Sequence, residues 1–540
     1  MMTVVSKTLR STAALLATSI FSIMITVAPA SSQTVVAVMN SGLRVLDPIV
    51  SSAAITNIHG FMIYDTLLGT DENFQIHPQM AEKWDISPDG KTYTFSLRND
   101  LKWHDGAPVT AEDCVASIRR WGAQDIMGQV LLSLVTEIKV VDDKTFTIAL
   151  KQPSDIVLSS LAKIGTRTPF MMPKRLAETP PSQAIKEHIG SGPFKFVASE
   201  FQPGLKVVYE KNEAYVPRGE PASWTAGGKV VKVDRVEWIA MPDPLTAANA
   251  LLNQEIDYIE TLSYDLLPMF KGRSDTKVET LNPLGLWTYF RFNFIHPPFN
   301  NTLIRRAAMY AVGQEDLLQA MVGNRDYYKT CVAVFGCGTP YESTYGADII
   351  VDSKPEKAKE LLKQANYKGE PVIILHPTDN PMVTTQPVVI ADALRKAGFT
   401  VEVQSMDWQT VTIRRANKNA PGKGGWAIHA TTGPLVGITD PLRNQTVAAS
   451  GAKAWFGWPD FPEIEKLRAE FATTTEPAKL KELAEKIQRL VIDEGVVVPM
   501  GHVVIPSVHG THLTGVLKSP VAVFWNVETS KRRPARGQAR

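Results

Sequence analysis

Only three cysteines occur in 540 residues, and three such separated thiols make a poor metal-ligand set. Beyond the first thirty residues no apolar run reaches the roughly 20 residues that a membrane-spanning helix needs. An excess of one charge is missing too: 57 basic residues face 55 acidic ones, and setting aside Lys7 and Arg10 leaves 55 against 55. That balance gives no electrostatic case for nucleic acid. The chain also lacks a Gly-x-Ser-x-Gly elbow, a phosphate loop ending in Gly-Lys-Ser/Thr and a His-Glu-x-x-His zinc helix, so no familiar catalytic set supports an enzyme. His509 and His512 stand three apart, but Gly510 and a turn-like context offer no second ligand type, and they read as surface-loop histidines. No heptad array, tandem repeat or low-complexity segment interrupts the body of the sequence.

What is present begins with a short basic region at Lys7 and Arg10, an apolar stretch over Ala13 to Val27 and the small-x-small triplet Ala28-Pro29-Ala30. This is the pattern of a secretory signal peptide over residues 1–30, cleaved near Ala30, and it is short for the alternative of a membrane anchor. No cysteine lies near the cleavage point, which leaves no lipid attachment site. The mature chain, from about Ser31, is expected to work in the oxidising periplasm. Its length exceeds one ordinary hydrophobic core, so two or three packed units are expected. Residues 531–540 carry Lys531, Arg532, Arg533, Arg536 and Arg540 without an acid and read as a basic, disordered tail. Cys331 and Cys337, with Gly336 between them, suit a local disulfide in an exported chain, the alternative being two buried thiols; Cys114 reads as a small core residue.

The periodicity switches repeatedly between 2 and 3.6, which points to a mixed α/β protein. Tyr93, Phe95 and Leu97 alternate with polar residues after the turn Pro88-Asp89-Gly90, predicting a half-buried hairpin strand. Thr110 followed by Glu112 and Asp113 predicts a capped helix start. Ile304, Ala307, Ala308 and Ala311 share a helix face, as do Ala358, Leu361, Leu362 and Ala365, the latter preceded by a Ser353/Glu356 capping box. Leu480, Leu483, Ile487, Leu490 and Val491 make a third stripe. Ile373–Leu375, a helix over Val388–Lys396 and Val401–Val403 predict a βαβ unit, and Val496–Val498 and Val503–Ile505 two buried strands.

Trp408, Trp426, Trp455, Phe456 and Trp458 cluster in irregular segments, where a broad ring either plugs a core or faces a concave site. With Asp440 and Arg443, either of which could pair with a charged ligand terminus, they form a candidate pocket rim.

Several stretches, in order, resemble the bacterial extracellular solute-binding proteins of family 5, the dipeptide-, oligopeptide- and nickel-binding group. They are Tyr64-Asp65-Thr66-Leu67-Leu68; the run from His77 to Val115, with its tryptophan, Asp-Gly turn, Phe-x-Leu-Arg strand, His-Asp-Gly and Thr-Ala-Glu-Asp; Gly190-Ser191-Gly192-Pro193-Phe194; Asn212-Glu213-Ala214-Tyr215; Asp257; Asn293 with Pro297, Pro298 and Arg306; and the helix beginning at Pro355. The likeness spans about residues 35 to 525. Gly313-Gln314 and Cys114 depart from the family pattern, which often has Asp and Val there, and the nickel-chelate positions find no match. The resemblance implies a type II periplasmic-binding fold, α/β, with two lobes joined by hinge strands and an extra subdomain in the first lobe. The first lobe would comprise residues 31–286 and 498–530, with the subdomain at about 61–190, and the second lobe 287–497. The hinge crossings are expected near Trp287–Phe294 and Val496–Met500, which adds Trp287, Tyr289 and Asn293 to the candidate ligand contacts; Asp440 is the candidate partner of a peptide amino terminus. The implied role is capture, without chemical change, of a peptide or similar small solute by a monomer that delivers it to the permease subunits of an ABC importer. No cofactor or metal is expected. The alternatives are a ligand receptor for a membrane sensor and an envelope hydrolase.

Overall fold

The run Thr34–Val38, TVVAV, has no polar face, so it can only be a strand covered on both sides. In the computed structural model, which describes residues 31–378, 380, 382–531 and 533–534, this strand is buried throughout. It lies parallel to Arg235–Ile239 on one side and to Tyr258–Ile259 on the other, inside a seven-stranded sheet. Ser507–Gly510 then pairs antiparallel with Tyr258–Ile259 and with Thr276–Glu279. The first sheet is thus assembled from both ends of the chain.

The second sheet has six strands in the order Tyr328–Lys329, Val498–Val503, Leu286–Phe292, Ile428–Pro434, Val372–Pro377 and Val401–Met406. The βαβ unit is present, with its helix at Thr385–Lys396 packed on the strands. Val498–Val503 is one strand rather than two and belongs to this second sheet, so the chain returns to the first lobe after Val503, not at residue 498. Pro499 and Gly501 break its apolar run in the sequence. Gly501 adopts φ 93°, and the register against Leu286–Phe292 shifts between Trp287 and Tyr289; a bulge of this kind keeps the ladder while interrupting the alternation. Leu286–Phe292 likewise lies wholly in the second sheet, which puts the first crossing before it, around Gly285. Gly285 has φ 67°, and a Cβ there would stand 2.3 Å from the Val503 carbonyl oxygen, so the two crossings touch at a point that only glycine allows.

A four-stranded antiparallel sheet forms the extra subdomain, in the order Ala81–Ile86, Thr92–Leu97, Thr145–Leu150, Val135–Asp142. Tyr93, Phe95 and Leu97 point inward, and Phe95 stacks on its cross-strand partner Phe146 with ring centroids 5.2 Å apart. Helix Ala111–Gln124 packs beneath, opened by a reciprocal cap in which Thr110 Oγ1 accepts from the Asp113 N–H and Asp113 Oδ2 accepts from the Thr110 N–H. No such box forms at Ser353: helix Pro355–Gln364 starts from Lys354, and the Ser353 hydroxyl donates instead to the Ala311 carbonyl.

The ends of the described chain also differ from expectation. Ser31–Ser32 pairs antiparallel with Arg533–Pro534, so this part of the basic tail is a strand. The expected signal peptide lies outside the described residues. Among the described residues no helix is long and apolar enough to cross a membrane.

Candidate functional site

Where parallel strands end, exposed backbone and loop side chains meet an open crevice, and ligands of α/β sheets sit there. Asn40 follows Thr34–Val38 and Glu260 follows Tyr258–Ile259 at the carboxyl edge of the first sheet. Facing them, Thr432, Gly433 and Pro434 end strand Ile428–Pro434 of the second sheet, with Leu286 beside them. Together these groups enclose a cavity of ≈ 310 Å³ between the lobes, next to both chain crossings. Its wall is mostly apolar, with amides from Asn40, Asn57 and Asn282 and hydroxyls from Thr432 and Ser507. Such a wall with a few placed polar groups suits a small solute.

Among the described residues Glu260 is the single charged residue lining it. Its Oε2 accepts from both the backbone N–H and the side-chain amide of Asn40, each at 2.8 Å. Oε1 takes no hydrogen bond among the described residues. Burial pushes the carboxyl up to about 7, against the downward pull of the Asn40 donors.

The residues singled out from the sequence fall elsewhere. Asp440 and Arg443 pair with each other at 3.0 Å, and Asp440 Oδ1 also caps the turn by accepting from the Leu442 and Arg443 N–H groups. They line a second, smaller cavity of ≈ 200 Å³ between the extra subdomain and the second lobe, where the Arg443 guanidinium donates to the Ser159 carbonyl at 2.7 Å. Ser154 bridges the same seam by donating to the Ala472 carbonyl. Asn293 is buried with its amide spent on the Trp426 carbonyl and the Ile295 N–H. Trp426 is fully buried, donates to the Arg415 carbonyl and packs on Trp458. These three are core plugs, not walls of the main cavity.

Trp287, Tyr289, Trp408 and Trp455 form a different group, on one face of the second sheet. Trp287 stacks on Tyr289 with centroids 4.1 Å apart, and Arg291 is next on that face, directly across from His429. Arg291 and Arg415 both lie over the Trp455 ring, at 5.1 and 5.5 Å. Burial lowers the Arg291 guanidinium to about 10, and burial followed by the charges of Arg415 and Arg291 holds the His429 imidazole down at about 3, so it is neutral. Reading the sequence alone missed Arg291, Arg415, Glu260 and Asn40. The first two sit in unremarkable strand and helix-end contexts; the last two carried a signal, since each follows a strand of the first sheet.

His509 and His512 are not free surface histidines. His509 is buried in its strand with Nε2 3.1 Å from Glu279, and His512 Nε2 meets Asp257 at 3.0 Å. Cys331 and Cys337 are joined in a disulfide beside buried His502, so the sulfur atoms of that trio are spent and offer no thiolate to a metal. Cys114 is a buried free thiol, raised by burial.

Two α/β lobes joined by two touching crossings, with a solute-sized cavity at the strand ends, define a two-lobed binding protein of the type II periplasmic arrangement. The family model for bacterial extracellular solute-binding proteins, family 5, matches residues 75–436, and the chain belongs to that family. It is 40% identical over 495 residues to a probable peptide ABC transporter periplasmic-binding protein of Sinorhizobium fredii, covering 90% of this chain and 92% of the relative. The structure is similar to that of the periplasmic binding protein DppA from Helicobacter pylori in complex with the peptide STSA, with a TM-score of 0.76, 22% identity and coverage of 92% and 98% of the two chains. It is also similar to MoaA of A. tumefaciens in complex with mannopinic acid, with a TM-score of 0.77, 19% identity and coverage of 93% and 100%. The relatives are binding proteins, and the named ones are periplasmic.

Proposed function

We propose that this chain is the periplasmic capture component of an ABC importer, closing its two lobes on a peptide or similarly sized solute and handing it unchanged to the permease subunits. The observation that carries this reading is the cavity between the lobes, lined from the strand ends of both sheets and, among the described residues, charged only at Glu260. A ligand bridging both walls favours the closed arrangement because it contacts both lobes at once only there. Glu260 Oε1 is free to accept from an ammonium or amide N–H of the solute. The lobes hinge around Gly285 and the residues after Val503, the protein acts as a monomer, and the secreted chain starts near Ser31 after removal of a signal peptide.

The test is to purify the protein from the envelope, release its cargo by unfolding, identify it by mass spectrometry and titrate it back. Capture requires a rise in melting temperature with bound cargo and recovery of the cargo intact. Recovery of a chemically altered cargo at catalytic turnover would refute it, as would a Glu260→Ala variant that binds as well as the parent.

A further inference from the structure

We propose that the cavity between the extra subdomain and the second lobe is a second binding site, one that takes a small organic cation with an apolar body and so holds the two parts together. The cavity, ≈ 200 Å³, is largely apolar, with Ile156 on the subdomain side and Leu442 on the other. Among the described residues three charged groups line it, Asp155, Asp440 and Arg443. Asp440 and Arg443 are paired with each other, and the guanidinium is further spent on the Ser159 carbonyl. The Asp155 carboxylate is left over. Exposed at the rim, it takes no hydrogen bond and no ion pair among the described residues, and it does not cap the helix Ile156–Leu161 that it precedes. Partial burial, with no donor to offset it, pushes this carboxyl up. Asp47, Asp65 and Asp125, by contrast, are each paired, with Arg120, Lys229 and Lys163.

An uncompensated carboxylate at the rim of an apolar cavity favours a cation, and the walls decide which kind. A metal ion wants several oxygen ligands, which one free carboxylate does not supply. An organic ammonium needs only one, and aromatic faces replace part of the water it gives up. Phe74, Tyr341 and Phe471 line the cavity. Tyr341 and Phe471, from the second lobe, meet edge to face with centroids 5.4 Å apart. Phe74 comes from the other side of the seam, on the turn between strands Leu68–Thr70 and Ile76–Pro78. Its backbone is left-handed, φ 61°, a costly conformation for a bulky residue, and its N–H donates to the Asp71 carbonyl at 3.0 Å. An occupant touches Asp155 and Phe74 on one side and Tyr341 and Phe471 on the other, adding to the bridges already made by Arg443 and Ser154. The main cavity is next door: Val436 lines that cavity, and Thr439, three residues on, lines this one. Given the solute-capture reading above, filling the seam favours closure and raises affinity for the solute, and the solute raises affinity for the cation by the same factor.

The experiment titrates phenethylamine and its uncharged counterpart phenylethanol, by calorimetry at pH 7, against the cargo-free full chain and its Asp155→Asn and Tyr341→Leu variants. Circular dichroism and melting temperature establish that each variant is folded; Asp155 is exposed, so its variant changes no core contact. The expected result is that the amine binds the parent about tenfold or more tightly than the alcohol, that Asp155→Asn removes this margin and that Tyr341→Leu narrows it. Affinity for the native cargo rises about fivefold or more with saturating amine in the parent and is unaltered by amine in Asp155→Asn. An amine that does not bind at millimolar concentration, equal binding of amine and alcohol, or a folded Asp155→Asn variant that keeps the margin overturns the site. Cargo affinity that falls with amine, or is indifferent to it, overturns the bridging role. A chain that carries no cargo refutes solute capture instead, and the margin between amine and alcohol still decides the seam site.

Discussion

Replacing Arg443 with alanine opens the seam between the extra subdomain and the second lobe. The guanidinium, 9% exposed, is held by Asp440 and reaches across to the Ser159 carbonyl. A hydrogen bond from a charged donor contributes about 1.5–3 kcal/mol net, and the lower end applies because the seam borders a cavity rather than a dry core. Asp440 keeps the Leu442 and Arg443 N–H groups and is not left stranded. A loss of about 1.4 kcal/mol from the closed state alone is a tenfold loss in apparent affinity, since solute binding draws on closure. Titration calorimetry with the recovered cargo measures it, and small-angle scattering of the ligand-free protein reports a larger radius of gyration for the variant. Ser154→Ala, which removes the neighbouring contact to Ala472, adds to the effect. Unchanged affinity together with an unchanged scattering curve would show that the lobes do not part along this seam.

Glu260 ionises near pH 7 in the folded protein against an ordinary value of 4.5, so the unfolded chain releases its proton first and stability falls as pH rises across that window. Glu260→Gln therefore raises the melting temperature of the empty protein at pH 8 and leaves it unaltered at pH 4, and equal shifts at both would contradict the assignment. Asp65 and Lys229 form a buried pair at 2.6 Å, with Tyr215 donating to the same carboxylate; Asp65→Ala costs about 3–5 kcal/mol in urea unfolding by stranding the lysine, while an Asp65→Leu/Lys229→Met double variant recovers most of it. Trp426→Ala destabilises by about 3–5 kcal/mol as an emptied core site; lost affinity with stability intact would return Trp426 to the ligand surface.

The elements whose residues bury one face were readable: the Tyr93–Leu97 alternation, the Thr110 cap and the alanine and leucine stripes each state their own geometry. Strand Val498–Val503 was not, because its bulge at Gly501 is fixed by the neighbouring strand rather than by local periodicity. The candidate cavity was hard to read from the sequence for a related reason. A large ring in an irregular segment can plug a core or face a concave site, and local sequence does not decide between them: Trp426 and Trp458 fill the core beneath loops, and Asp440 is held by its own turn and by Arg443. The cavity wall instead uses strand-end residues such as Asn40 and Gly433, whose contribution is position, and position comes from pairing between segments hundreds of residues apart.

That pairing orders events in the life of the chain. Thr34–Val38 must wait for Arg235–Ile239 and Tyr258–Ile259, and Ser507–Gly510 can join only when nearly all of the polypeptide has been made. Contacts at such separation carry a large loop-closure cost and form late. A ribosome-bound chain therefore cannot complete its first lobe, whereas residues 286–503 already contain every strand of the second sheet. Synthesis leaves the amino-terminal half without its closing strand for most of translation, so the lobe that is begun first is the one finished last.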